Sequence, residues 1–187
     1  MRLTKYSCKN YARLQDFEIT VRDNLFIVGA NDVGKSSLLC TMDWLLGFSH
    51  SRLYATVQQS DFRDLSESLI LEATLDSLSD IELAAFPDEV TVGPVGGAIT
   101  LALRMVAEFD DLGETISIQR FAPDSGRIRN LSPSQLEMLG WSLLGATSKA
   151  RDIRGTRQAG MGELLESVDL GADKIEFNSL NQQFAQL

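Results

Sequence analysis

One stretch constrains this chain more than any other: Gly29-Ala-Asn-Asp-Val-Gly-Lys-Ser36 satisfies the pattern G-x-x-x-x-G-K-S/T in full. Such a loop belongs between a strand and a helix, because its backbone N–H groups must turn inward around a phosphate. Gly29 and Gly34 allow the turns and the close approach that a side chain would obstruct. The helix that follows offers unpaired N–H groups and a partial positive charge to the same anion. Lys35 is expected to reach the β- and γ-phosphates of a nucleoside triphosphate, and the Ser36 hydroxyl to ligate magnesium. The candidate nucleotide-binding residues are Gly29, Asn31, Asp32, Val33, Gly34, Lys35, Ser36 and Ser37, with Ser36 also the candidate metal ligand.

The flanks fit that context. Phe17, Ile19 and Val21 alternate with Glu18, Thr20 and Arg22, which predicts a half-buried strand, and Asp23-Asn24 signals a turn. Leu25-Phe26-Ile27-Val28 is wholly apolar and predicts a strand covered on both faces, as in a parallel sheet. Leu38, Met42, Leu45 and Leu46 recur at helical spacing, and Gly47 is placed to end that helix.

Beyond it, residues 48–67 read as polar and irregular. Leu69, Leu71, Ala73 and Leu75 alternate with Ile70, Glu72, Thr74 and Asp76 and predict a strand. One or two helical turns are expected over Asp80–Phe86, and a loop over Thr91–Gly97. Ile99, Leu101, Leu103 and Met105 share one face of a long strand. A hairpin connection at Asp110–Glu114 leads to a partner strand carrying Ile116 and Ile118. After about residue 131 helices take over: Ser132 caps a helix with Pro133 at its first position, and others are expected over Gly160–Val168 and Asp173–Leu187. The chain stops within an apolar stripe, Phe177, Leu180, Phe184 and Leu187, and reads as a cut through a longer protein.

Composition narrows the chemistry. A net charge of −9 argues against direct DNA binding, since phosphate contacts need an electropositive stripe. The one basic segment, Lys149–Arg157, reads as a solvated face. Cys8 and Cys40 lack metal-site spacing and are expected to be reduced, buried thiols. His50 is the sole histidine, which excludes a histidine-based catalytic pair. No apolar run of membrane-spanning length and no signal peptide occur, so a cytoplasmic protein without a membrane partner is expected. The absence of an Asn/Thr-Lys-x-Asp tetrapeptide favours ATP over GTP. Hydrolysis needs a second acidic motif, approximated only by Leu69-Ile-Leu-Glu72 and Val106–Asp111. Alternation already explains both as ordinary antiparallel strands, so ATP binding without hydrolysis is expected of this chain.

Residues 1–50 resemble the N-terminal half of the ABC-type ATPase heads of the SMC, RecF and OLD (overcoming lysogenization defect) families. Lys9-Asn-Tyr-Ala-Arg13 is similar to their Asn-Phe-Arg-Ser strand-turn element, at their spacing from the glycine loop, and Asn31-Asp32 resembles the OLD family most. Leu131–Gln135 and Leu139–Ser142, followed by Arg151 and Arg154, are similar to OLD-like heads in layout. The resemblance implies an α/β P-loop NTPase of ABC-ATPase-head type, an incomplete head. Residues 1–50 would be the strand–P-loop–helix core, 68–121 an accessory antiparallel sheet and 131–187 a helical segment. It implies ATP and magnesium as cofactors, a homodimer of heads around two ATP molecules, and DNA handled through the full-length protein with its TOPRIM nuclease. The signature and second acidic motifs would lie beyond Leu187. The family's arginine falls on Ala12, with Arg13 one place later, and Gln58 and Gln59 are candidates for the Q-loop glutamine. Gln59 is the one catalytic candidate. Other readings of the same loop are a transport ATPase subunit, a small P-loop kinase with Arg151 and Arg154 in its lid, and a binding-only module.

Overall fold

A computed structural model describes residues 1–93, 97–112, 114–126 and 128–143. Met1–Trp141 forms one compact unit. The expected helices over 160–168 and 173–187, the basic segment 149–157, Arg151 and Arg154 lie outside the described residues.

The unit is built on a six-stranded sheet in which every pairing is antiparallel. Its strands are β1 (Arg2–Lys9), β2 (Phe17–Thr20), β3 (Leu69–Asp76), β4 (Val90–Val92), β5 (Ile99–Asp110) and β6 (Thr115–Phe121). They lie in the order β2-β1-β3-β5-β4, and β6 pairs with the distal part of β5. The sheet therefore joins strands from residues 1–50 and from 68–121 in one layer. Its helices are α1 (Lys35–Leu46), α2 (His50–Thr56), α3 (Asp80–Ala85) and α4 (Pro133–Met138).

Directly paired residues share a face, and the register sorts the two faces cleanly. Tyr6, Ala73 and Leu103 form one row, and Cys8, Leu71 and Met105 the next. All six are at most 2% exposed, and they belong to the same core as Met42, Trp44, Leu45 and Leu46 of α1. The opposite face carries Ser7, Glu72 and Arg104 in one row. There the Arg104 guanidinium donates to Glu72 at 2.7 Å, and the Ser7 hydroxyl donates to the same carboxylate at 3.2 Å.

The alternation over β3, β5 and β6 and the stripe on α1 predict these burial patterns well. Other parts differ. Leu25–Val28 is not a strand buried on both faces: it pairs with no strand among the described residues, and Leu25, Phe26 and Val28 are 40%, 83% and 92% exposed. Burial on both faces requires a ladder partner, and the antiparallel sheet ends at β2 on that side. The stretch 48–67 is less irregular than its polarity suggests, since it holds α2, capped by Ser49, and a 3-10 turn over Gln59–Asp61. The loop over Thr91–Gly97 begins in β4. Cys8 is buried as expected, whereas Cys40, on the flank of α1, is only half-buried.

Helix ends follow familiar chemistry. The hydroxyls of Ser49, Ser79 and Ser132 cap α2, α3 and α4. The end of α1 is secured differently. Arg120, on β6 and 1% exposed, donates from Nη1 to the carbonyls of Trp44 at 3.0 Å and Leu45 at 3.2 Å. Helix-terminal carbonyls lack partners within the helix, and a guanidinium suits their partial negative charge. Burial lowers the Arg120 pKa to about 10.

Candidate nucleotide-binding site

Helix α1 begins at Lys35, directly behind Gly34, whose φ of 94° lies in the left-handed region. That conformation favours glycine, and a Cβ there would also stand 2.6 Å from Leu14 Cδ2, so the leucine would have to shift. At the other end of the loop, a Cβ on Gly29 would meet Val33 Cγ2 at 2.9 Å. Asp32 is left-handed as well, a conformation its short polar side chain tolerates. The loop thus closes tightly on itself between its two glycines.

No side chain caps α1, and no acidic residue occupies its first turn. Its leading N–H groups and the positive end of its dipole are left for an anion. The Lys35 ammonium donates to the Gly29 carbonyl at 2.8 Å and to the Ala30 carbonyl, so it spans the mouth of the loop. Asn31, Asp32, Val33 and Ser36 are exposed, while Ser37 is half-buried. All eight loop residues singled out from the sequence therefore lie together at the start of α1. Their chemistry suits a polyphosphate, and the Ser36 hydroxyl is a hard oxygen donor of the kind magnesium takes. Among the described residues no group of three or more His, Cys, Asp or Glu side chains could hold a metal ion by itself. A magnesium ion here would need oxygens from the phosphates.

The wall behind Gly34 is the turn between β1 and β2. Leu14 rests on Gly34, and the Arg13 carbonyl lies 3.7 Å from where its Cβ would be. The base of that turn is tied to residues 61–67. The Ala12 N–H donates to the Asp61 carbonyl at 2.9 Å, and Tyr11 makes a bridge with Phe62. Asn10, 4% exposed, donates to the carbonyls of Asp64 and Glu67 and accepts from the Asp64 N–H. Arg63 donates to Asp16 at 2.9 Å, to the Tyr11 carbonyl at 3.3 Å and to the Leu14 carbonyl. The Asp16 carboxylate, accepting from the Asn10 N–H and then from Arg63, is held below its ordinary pKa. Asn10 belongs to the Lys9–Arg13 element that the sequence sets at a fixed spacing from the loop. Asp16 and Arg63 were not singled out by the sequence, being scattered polar residues with no motif spacing.

Gln58 and Gln59 are exposed, and their backbones bond to Asp61 and Phe62 at the base of this wall. With Phe109, Asp111, Glu114 and Ile116 they line a cleft of about 480 Å³ at the end of the β5–β6 hairpin, and no phosphate-loop residue lines it. Glu72 is engaged with Arg104 on the far face of the sheet, and Asp110 and Asp111 sit at the hairpin end. Neither acidic stretch is brought to the loop.

A family model described as an AAA ATPase domain matches residues 1–127. Comparison with curated proteins finds no match. Among solved structures, the chain is similar to one from work on ATP-driven dimerization and DNA-stimulated activation of SMC ATPases. The two are 13% identical over 96% of this chain and 99% of that one, with a TM-score of 0.47, too slight a likeness to argue from. No helix among the described residues is long and apolar enough to cross a membrane.

Proposed function

This chain belongs to the AAA ATPase domain family, and we propose that it binds ATP with magnesium through Gly29–Ser37 as the N-terminal part of an OLD- or RecF-like ATPase. The observation that carries this reading is the loop itself: a complete motif, closed between Gly29 and Gly34, that leads into an uncapped helix with Lys35 at its start. The backbone N–H groups of the loop and of the first turn of α1 would cradle the phosphates. Lys35 would exchange the carbonyls of Gly29 and Ala30 for phosphate oxygens, and Ser36 would hold the metal. Magnesium, when bound, neutralises charge between the β- and γ-phosphates.

The wider reading places residues 1–50 as the nucleotide-binding core, 68–121 as the accessory sheet and 131–187 as a helical approach to the rest of the head. Two such heads would clamp on ATP, and DNA would be handled by the full-length protein in repair or phage defence. In this reading Glu72 stays engaged with Arg104, and the acid that activates water comes from elsewhere in the full-length protein. Gln59 is a catalytic residue in this reading only if the assembled head draws its loop toward the phosphates.

Titration calorimetry with Mg-ATP tests the core of the proposal. Lys35→Ala is expected to weaken binding by about 100-fold or more, the scale of removing one partner of a charged contact. Equal affinity in the variant and the parent chain would sink it.

A further inference from the structure

We propose that Arg63 sets the position of Gly34 through Leu14, which makes Arg63 a positioning residue for the nucleotide although it does not touch the phosphate loop. The inference rests on the preceding reading of Gly29–Ser37 as the ATP site. Its physical basis is a short chain of contacts. The Arg63 guanidinium reaches both sides of the turn between β1 and β2, donating to the Tyr11 and Leu14 carbonyls and to the Asp16 carboxylate. Within the turn, the Leu14 N–H donates to the Tyr11 carbonyl at 3.2 Å. The Leu14 side chain then fills the space that a side chain on residue 34 would need, 2.6 Å from that Cβ position. Gly34 in turn starts α1: its carbonyl accepts the first helical bond, from the Leu38 N–H at 2.9 Å.

The base of the turn has other ties, in Asn10 and the bonds of Ala12 and Tyr11 to residues 61 and 62. Its apex does not share them. At Leu14, the side-chain contact with the backbone comes from Arg63. A planar, multiply donating guanidinium can hold two carbonyls and a carboxylate at once, which a lysine ammonium does less well. The Arg63 side chain is also 43% exposed, and Arg63→Met keeps much of its apolar stem. Exposed ion pairs contribute little to global stability. Loss of Arg63 should therefore act on the loop more than on the fold.

The test compares Arg63→Met and Arg63→Lys with Arg2→Met in the full chain. Arg2 is a matched control, an ion-paired arginine 46% exposed whose partners, Asp23 and Asp76, are not in the loop's wall. By calorimetry, Arg63→Met is expected to weaken Mg-ATP binding about tenfold, since small misplacements of binding groups cost that much or more. Arg63→Lys should recover part of the loss, and Arg2→Met should stay within about twofold of the parent. In the ligand-free chain, the Gly34 amide resonance should move in Arg63→Met and stay in place in Arg2→Met. Parent-like affinity in Arg63→Met, or a Gly34 resonance that does not respond to it, overturns the inference. A parent chain that fails to bind Mg-ATP overturns the ATP reading instead, and the Gly34 resonance then decides the role of Arg63 alone.

Discussion

In β3, Leu69, Leu71, Ala73 and Leu75 are between 0% and 7% exposed, enclosed by β1 on one side and β5 on the other. Leu25, Phe26 and Val28, in a wholly apolar run, are 40%, 83% and 92% exposed on a segment that bonds to no strand among the described residues. Hydropathy favours burial in both places. The difference is the backbone. A strand can be covered only when its N–H and C=O groups have ladder partners, because an unpaired buried amide costs more than an apolar side chain gains. In β3 each residue's amide plane faces a neighbour, so the side chains can leave water; at 25–28 the same groups remain open, and so do the side chains. The sheet is the scaffold, and the segment feeding the phosphate loop is the part still open to pairing.

The sharpest way to break this comparison is to cut into both regions. Leu103→Ala in the centre of β5 is expected to destabilise the chain by about 3 kcal/mol in urea unfolding, while Phe26→Ser changes it by less than about 0.5 kcal/mol. A comparable cost at Phe26 would mean that this segment is covered in solution. A second measurement asks how dry the inner face of the sheet is. Burial pushes the Cys8 thiol from an ordinary 9.0 up to about 12, and Tyr11 likewise to about 12. Above pH 9 the unfolded thiol gives up its proton while the folded one keeps it, so the unfolded state binds fewer protons and stability falls. For the thiol the slope approaches about 1.4 kcal/mol per pH unit. Urea midpoints taken between about pH 8 and about pH 11 should therefore fall less steeply in Cys8→Ala than in the parent, and equal slopes would show a hydrated thiol. The smallest effect belongs to the polar face. Glu72→Gln weakens a half-buried pair with Arg104 and should cost about 1 kcal/mol, with Mg-ATP affinity unchanged. A clear loss of affinity would instead tie Glu72 to the phosphate site.

Much of this division was legible in the residues. Period-two alternation marks β3, β5 and β6, and the spacing of Met42, Leu45 and Leu46 marks the buried side of α1. The phosphate loop is read from glycine, lysine and serine alone, because their roles are local and depend on spacing. Where pattern failed, the cause is physical. In β1 a register shift between Leu3 and Lys5 interrupts the alternation, and Ser7, donating to Glu72 on the polar face, is buried alongside Tyr6 and Cys8 on the core face. α2 buries only Leu53, too little for a helical stripe. Leu25–Val28 carries the pattern of a core strand, but whether it pairs depends on neighbours that no local window contains. Arg63 and Arg120 act through carbonyl oxygens, which every residue has, so nothing in their partners' identities advertises them.

Arg120 also has a mechanical meaning. Its backbone belongs to β6 and its guanidinium grips the last carbonyls of α1, so the tail of the helix behaves as a hinge pin set in the sheet. The Gly34 end lies one helix length away, resting on Leu14. With its tail held there, a shift imposed at Gly34 would be expected to turn α1 about Arg120, over the rows of side chains between α1 and β3.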